Sequence, residues 1–280
     1  MDKYKYPFGA VWLSHSSMGD FAKCPRLYYL RNMYKESKSG KKIQVVSPYL
    51  TLGIAVHDTL EVIRYLPRES RFDKPLTHIF EEIWEGSSGQ RGGFKSNDQE
   101  KEFRGRGLAM VKRVQDNPGP IASLSTIIKD RGEMVANMWL SEADGLILCG
   151  NVDWVEVLPD GSLHIIDFKT GKNEEDAASL QLQIYLLLAK NNNKRPVTRL
   201  SYWYLERDDV PREVNIPDLA GVVEQLVEKG RKIKAARLSE AMECAKGGCK
   251  YCLEYEQVVK GETEQVGYDP KREKMLYLVL

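Results

Sequence analysis

Hydrophobic residues change their spacing several times along the chain, and each change predicts an element. Between residues 15 and 35, Met18, Phe21, Ala22, Leu27, Tyr28 and Leu30 recur at intervals of three and four. This predicts a helix that begins at Ser16 or Ser17 and is interrupted at Pro25. The polar stretch ESKSGKKIQ reads as a loop, after which Gly53 precedes a helix carrying Ile54, Val56, His57, Leu60 and Ile63. Residues 65 to 105 are rich in Gly, Ser and charge, above all GSSGQRGGFKSNDQE. They predict a mobile loop over 84–100 between helical segments, near a substrate, followed by a helix over 101–116. The run STIIKDRGEMVANMWLSEADGLILCGNVDWVEV reads as consecutive strands, DAASLQLQIYLLLAKN as a helix, RLSYWYLE as a strand and DLAGVVEQLVEKGRKIKAARLSEAM as a long helix. No internal repeat is visible. Helices, then a strand meander, then helix, strand and helix predict an α/β core behind a mostly helical N-terminal part.

The stretch GNVDWVEVLPDGSLHIIDFKT carries the most chemistry. Pro159-Asp160-Gly161 suits a three-residue hairpin loop, with Pro setting the first turn angle and Gly taking the left-handed position. If Leu158 pairs with Ser162, Asp153 falls directly opposite Asp167 on one face of the hairpin, with Cβ atoms about 5 Å apart. Lys169, two residues beyond Asp167, shares that face. Two carboxylates this close repel, and each raises the other's pKa unless a cation lies between them. A hard divalent ion such as Mg²⁺ or Mn²⁺ would resolve the conflict, and the lysine would then orient a water or neutralise charge on a phosphate. A structural Asp–Lys pair on a strand fits the same spacing, because a buried ion pair is not by itself a sign of catalysis.

Composition narrows the class. The chain has 280 residues, 42% of them hydrophobic, and 41 Lys+Arg against 40 Asp+Glu, the profile of a globular protein. With a net charge of +1, any nucleic-acid surface has to be a local patch. No run of eighteen apolar residues exists, and the start MDKYKYPFGAVW lacks a signal-peptide pattern, so a cytoplasmic protein without membrane contact is expected. Of five cysteines, Cys149 lies in the apolar run LILC and reads as a small buried hydrophobe. Cys24 stands near the start, and Cys244, Cys249 and Cys252 cluster near the end. Together they supply four thiolates, the number that Zn²⁺ or a [4Fe-4S] cluster requires, and spacing alone does not separate the two. A thioredoxin-like reading of Cys249-Lys-Tyr-Cys252 fails because no strand leads into the pair.

GNVDWVEV…LHIIDFKTG resembles the Asp…Asp-x-Lys core of the PD-(D/E)XK nucleases, in their RecB-type exonuclease branch. LGIAVHDTLE resembles that branch's Gly-x-x-x-His helix and puts His57 in the place of its metal-binding histidine. RGEMVANMWL resembles the glutamate segment before the hairpin, with Glu133 near the metal. SLQLQIYLL resembles its Gln-x-x-x-Tyr helix, with Gln181 and Tyr185 one turn apart, holding DNA or supporting the site. The ordered set spans residues 13 to 255. One N-terminal cysteine and three C-terminal ones resemble the iron-sulfur subset of the branch, seen in AddB-like and CRISPR-adaptation nucleases, although Cys244 here precedes the CxxC pair where the family commonly has a cysteine after it.

The resemblance implies a fold and an activity. The fold is a single nuclease domain with a mixed central sheet flanked by helices: a helical part over 13–130, a core over 125–210, a helix and cysteine segment over 211–255 that joins the termini, and a tail over 256–280. The activity is metal-dependent hydrolysis of DNA phosphodiester bonds, acting on ends with single strands favoured. His57, Asp153, Asp167 and the backbone carbonyl of Phe168 would hold Mg²⁺ or Mn²⁺, and Lys169 would position the attacking water. Cys24, Cys244, Cys249 and Cys252 would hold a structural [4Fe-4S] cluster, with zinc as the alternative. A helicase or a CRISPR-integration complex is an implied partner, and a non-cleaving DNA- or partner-binding subunit with a zinc site is the competing reading. Gly40-Lys41-Lys42 and Lys229 to Arg237 are candidate backbone-binding patches. Tyr28, Tyr29, Trp203 and Tyr204 would either stack bases or pack in the core. His15, His78 and His164 are left structural.

One additional glycine in the Pro159-Asp160-Gly161 loop should slip the hairpin and turn one aspartate to the other face. Metal-dependent cleavage should fall to background with every side chain retained, as read in a labelled-DNA assay.

Overall fold

The computed structural model describes residues 9–128 and 136–279. In chain order the elements are β1 (Val11–Leu13), α1 (His15–Lys23), α2 (Pro25–Tyr28), β2 (Lys42–Val45), α3 (Pro48–Arg64), α4 (Leu76–Glu85), α5 (Asn97–Asp116), β3 (Ala136–Ser141), β4 (Leu146–Gly150), β5 (Trp154–Val157) and β6 (Leu163–Lys169). Then follow α6 (Gln181–Asn192), β7 (Val197–Tyr204), β8 (Arg212–Val214), α7 (Val222–Leu238), α8 (Leu253–Lys260), β9 (Glu264–Asp269) and β10 (Lys274–Leu278). No helix among the described residues is long and apolar enough to cross a membrane.

The strands divide over three sheets rather than one: β1-β4-β3, β5-β6-β7-β8 and β2-β10-β9. Strand β6 pairs antiparallel with β5 and parallel with β7, so the middle sheet is mixed, and α6 makes the crossover between its parallel strands. Alternation along these strands sorts the core. Trp154, Ile166, Phe168 and Trp203 face a layer made by α3, α4 and α5, packing with Leu52, Val56, Leu60, Phe80 and Met110. Val155, Val157, Leu163, Ile165 and Leu200 face the other way, against α6, α7 and the β1-β4-β3 sheet. A third core joins Leu27, Leu30, Ile43, Val45, Tyr255, Val258 and Tyr277 around Cys24 and Cys252.

Several sequence expectations need correction. The first helix begins at His15, because Ser14 and Ser17 form a capping box: the Ser14 hydroxyl accepts from Ser17 N at 3.1 Å and the Ser17 hydroxyl accepts from Ser14 N at 2.9 Å. Helix α3 begins at Pro48 behind the Ser47 cap, so Gly53 lies inside it, where a Cβ would come within 3.3 Å of Thr170 Oγ1. The polar loop before α3 contains β2, whose parallel partner β10 lies at the far end of the chain. Segment 84–100 is the end of α4, a 3₁₀ turn over Gly89–Gly92 and the start of α5, rather than a loop throughout. Glu100 accepts from Trp84 Nε1 at 3.1 Å and from Gly89 N at 2.9 Å, and Phe94 is buried between Trp84 and Phe103. The stretch read as a tail, 256–280, completes α8 and forms the β9-β10 hairpin. Helices α6 and α7 start later than their apolar patterns suggest, at Gln181 and Val222.

Two glycines on α5 separate packing from propensity. A Cβ on Gly107 would fall inside the Phe80 ring edge, whereas one on Gly105 meets nothing within 4 Å. Gly107→Ala should therefore cost about 1–3 kcal/mol by overpacking, and Gly105→Ala should be neutral or stabilise by up to about 1 kcal/mol, both measured by denaturant unfolding.

Candidate active site

The β5-β6 ladder runs in the register that its turn predicts. Trp154 lies opposite Ile166 and Val157 opposite Leu163, Leu158 N donates to Ser162 O at 2.9 Å, and Gly161 has φ +83°. The Asp160 carboxylate closes the turn by accepting from Ser162 N at 2.9 Å and from its hydroxyl at 2.6 Å. Extending this register one step beyond Trp154 brings Asp153, at the bend before β5, beside Asp167. The Asp153 carboxylate accepts from Phe168 N at 3.0 Å, which fixes it against the end of β6.

Asp167 is 1% exposed, and its two oxygens have different surroundings. Oδ1 accepts from Gln181 Nε2 at 2.7 Å. Oδ2 faces Lys169 Nζ at 2.9 Å, a buried ion pair. Lys169 also lies 2.8 Å from Glu175 Oε2 and donates to Gln181 Oε1 at 2.6 Å. An ammonium has three N–H groups, and here they face three acceptors. Gln181 holds both members of the pair with one amide, and the same amide donates to Tyr185 Oη at 3.1 Å, so these two α6 residues do share a face. His57, from α3, places Nδ1 3.4 Å from Asp153 Oδ1. A cleft of about 100 Å³ opens beside His57, Asp153 and Phe168, with Glu61, Asn151 and Arg272 on its wall.

Electrostatics sets the two carboxylates apart. Burial, with the Asp153 charge adding to it, pushes Asp167 up to about 7 despite Lys169. Asp153 is half-buried, and His57, the Phe168 N–H and Lys169 more than offset its desolvation and hold it below the usual carboxylate range. Burial opposes the charged form of His57, and the Asp153 charge outweighs it, so the imidazole is raised. Lys169 is raised for the same reason, burial being outweighed by Asp167 and Glu175. A buried acid pushed up by its own burial and by a second carboxylate beside it is a cluster short of positive charge. Its donors, carboxylate oxygens with one imidazole, fit a divalent cation.

Sequence reading missed some of the residues that support this cluster. Arg64, 7% exposed, donates to Val152 O at 2.8 Å and Asp153 O at 3.3 Å and so pins the bend that carries Asp153. Its signal was present, because His57, Glu61 and Arg64 recur at helical spacing on one face of α3. Glu175, in the loop after β6, gave no signal. Glu133 lies outside the described residues. Among the histidines left structural, His164 bridges Glu156 Oε2 at 2.9 Å and Ser201 Oγ at 2.7 Å inside the sheet, His15 reaches Ser179 Oγ at 3.3 Å, and His78 lies 3.5 Å from Glu82.

Of the proposed base-stacking rings, Tyr28, Trp203 and Tyr204 are buried and belong to the core, while Tyr29 is half-buried beneath Arg26. Three of the cations in the basic patches are paired with carboxylates within the chain, and a fourth is tied to a backbone carbonyl. Lys41 pairs with Glu273, Arg231 with Asp144 and Lys232 with Glu228, and Lys234 donates to Asp144 O.

The second cluster assembles as the spacing suggested. The sulfurs of Cys24, Cys244, Cys249 and Cys252 all lie within 4.8 Å of one another, and those of Cys249 and Cys252 are 3.7 Å apart. Cys24 sits between α1 and α2 and Cys252 caps α8, so the cluster ties the early helices to the C-terminal segment. Backbone N–H groups of Cys252 and Tyr251 pull Cys249 down to about 7, whereas burial pushes Cys252 up to about 12. Four such thiols could hold a metal. Cys149 is half-buried, and burial pushes its thiol up to about 11, as a packing residue requires.

A mixed sheet whose parallel strand ends in Asp-x-Lys, with a second aspartate beside it, defines a class of metal-dependent phosphodiester hydrolases in outline. The family model of the PD-(D/E)XK nuclease superfamily matches residues 12–257, and the chain belongs to that superfamily. A comparison with curated proteins returns no match.

The raised acid makes a pH prediction. An acid whose folded pKa, about 7, lies above its ordinary 3.8 costs the fold nothing below pH 4, an increasing amount between pH 4 and 7, and its full penalty above 7. In EDTA, Asp167→Asn should therefore stabilise the protein by roughly 1–4 kcal/mol at pH 8, with the gain gone by pH 4, as read from unfolding curves at each pH.

Proposed function

We propose that this chain is a Mg²⁺- or Mn²⁺-dependent deoxyribonuclease of the RecB-type branch, acting on DNA ends with single strands favoured. The observation that carries the reading is the buried Asp167 carboxylate, held beside Asp153 with Lys169 within 2.9 Å of it. His57, Asp153, Asp167 and the Phe168 carbonyl would hold the ion, and the imidazole among the ligands suits Mn²⁺ better than Mg²⁺. When bound, such an ion supplies Lewis-acid polarisation of a phosphate and a more acidic water.

The chain's own residues do the rest. Lys169 reaches toward the attacking water or a phosphate oxygen, and to do so it releases one of its three acceptors. Glu175, on a loop, is the one best placed to leave, while Gln181 keeps the ammonium and Asp167 aligned. Tyr185 supports Gln181, and Arg64 holds the Asp153 bend still, so the cluster changes little during the reaction. Glu133 is assigned to the metal neighbourhood on the resemblance alone. The resemblance also supports a setting in recombination, repair or CRISPR adaptation, beside a helicase or integration complex. Free thiols fit a reducing, cytoplasmic compartment.

For the cysteine centre, the resemblance supports a structural [4Fe-4S] cluster. The sulfur spacing favours a second reading. A single tetrahedral zinc with bonds of about 2.3 Å spans sulfurs about 3.8 Å apart, close to the observed Cys249–Cys252 separation of 3.7 Å, whereas a cubane binds each sulfur to a different iron and spreads them further.

Asp167→Ala and Lys169→Ala should each lower Mn²⁺-dependent cleavage of end-labelled DNA by about two to three orders of magnitude. Undiminished cleavage by either variant would refute the assignment, and DNA binding by the wild type without any cleavage would favour the non-cleaving subunit. Anaerobic purification with an absorption spectrum and iron and zinc analysis decides the cysteine centre independently, since a colourless zinc protein removes the iron-sulfur reading and leaves the nuclease reading intact.

A further inference from the structure

Beyond the carboxylate cleft lies a larger cavity, of about 310 Å³, between α3, the end of α4 and the β9-β10 hairpin. The two share Asp58 and Arg272 on their walls, so they adjoin. The cavity is apolar on one side, formed by Leu50, Ile54, Ile83 and Leu276, with Tyr268 at its rim. Strand alternation accounts for this: Met275 and Tyr277 turn into the cysteine core, which leaves Lys274 and Leu276 on the opposite face.

The cations around the cavity fall into two groups. Lys271 is paired with Asp58 and Glu61, and Arg272 with Asp58 and Asp269. Lys274 and Arg91 form no ion pair among the described residues, although Asp269 stands opposite Lys274 across the hairpin. Lys274 donates to the neutral Gln44 Oε1 at 3.0 Å, and Arg91 to the Tyr268 carbonyl at 3.3 Å. Burial, with Arg31, Lys42 and Arg272 nearby, pulls Lys274 down to about 8. Asp269, directly opposite Lys274 across the hairpin, offsets only part of this, and Asp58 and Asp269 are set against four cations on the cavity wall, so an anion arriving from the cavity would relieve the remaining positive charge.

We propose that this cavity is a nucleotide subsite, taking one nucleotide unit with its base against the apolar wall and Tyr268 and its phosphate toward Arg91 and Lys274. A base offers an apolar face for stacking and a phosphate the missing charge, which is the combination the walls supply. Resting on the nuclease reading, the unit belongs to the substrate strand next to the bond being cut. A free nucleotide has the same chemistry and is the other source.

The test uses the full chain in EDTA, so that binding is read without cleavage. Anisotropy of a short fluorescein-labelled single-stranded oligodeoxynucleotide should show Lys274→Gln and Arg91→Gln each weakening affinity by roughly threefold to tenfold, with a smaller dependence on salt. Lys274→Arg should keep wild-type affinity, and Arg91 is exposed, so its variant folds irrespective of the outcome. Free dAMP should compete with the oligonucleotide if the strand is the occupant. If dAMP raises the melting temperature of the wild type but not of Lys274→Gln, and oligonucleotide affinity is unchanged, the subsite stands with a free nucleotide as its ligand. If both variants bind oligonucleotide and dAMP as the wild type does, the proposal is overturned. Absence of cleavage with Mn²⁺ would refute the nuclease reading separately, because the subsite is measured without it.

Discussion

Two carboxylates set side by side at the end of a buried strand are costly to keep, and much of the surrounding structure manages that cost. An isolated charge in such a place would neutralise or unfold its surroundings. Here the Asp153 charge is spread over the Phe168 N–H and His57, and Asp167 is met by one amide and one ammonium. These four partners come from three elements, β6, α3 and α6. The hairpin alone cannot hold the pair, and the helices are positioned by the need to satisfy it. Even the bend before β5 is secured from outside, by a buried arginine whose Nη1 donates to two backbone carbonyls while Nη2 is held by Glu61 and Tyr65 of its own helix end.

How far this was legible in the sequence depended on the range of the information. The hairpin register could be read because Pro159-Asp160-Gly161 and the two-residue alternation are local. The Gln181–Tyr185 pair was equally plain, since four residues make one helical turn. The four cysteines could be grouped by type alone, although not which ion they suit. The β2-β10 pairing could not be read, because a short polar stretch at residue 42 carries no mark of a partner at residue 274. Segment 84–100 misled for a different reason. Its Gly and Ser content suggests a loop, while Trp84, Phe94 and Phe103, spaced too irregularly to register as a period, pack it against α5. Glu175 belongs to the same class as β10, since a loop acid becomes meaningful only once folding delivers it to Lys169.

The unread β2-β10-β9 sheet turns out to connect the molecule's two centres. On one face Ile43, Val45 and Tyr277 pack with Cys24 and Cys252. On the other, the strands line the cavity that adjoins the carboxylate cleft. The turn between β9 and β10 then sends Lys271 and Arg272 to Asp58 and Glu61 of α3, beside His57. Exposed pairs of this kind are weak, but Asp58 is only 14% exposed and takes both cations at once, so the contact resists sliding.

From this follows a division of labour between the centres. The cysteine cluster lies far from Asp167 along the chain, and the main causes acting on Asp167, Asp153 and His57 are one another, Lys169, the Phe168 N–H and burial. Its influence has to travel through packing. An ion held by the four thiols would fix α8 and the early helices on one face of the small sheet, and the sheet's far turn is paired with α3. Helix α3 in turn carries both His57 and Arg64, one facing Asp153 directly and the other holding its backbone. That path would deliver rigidity to the aspartate whose pKa is held low, while Asp167 is clamped by Lys169 of its own strand and by Gln181 of α6.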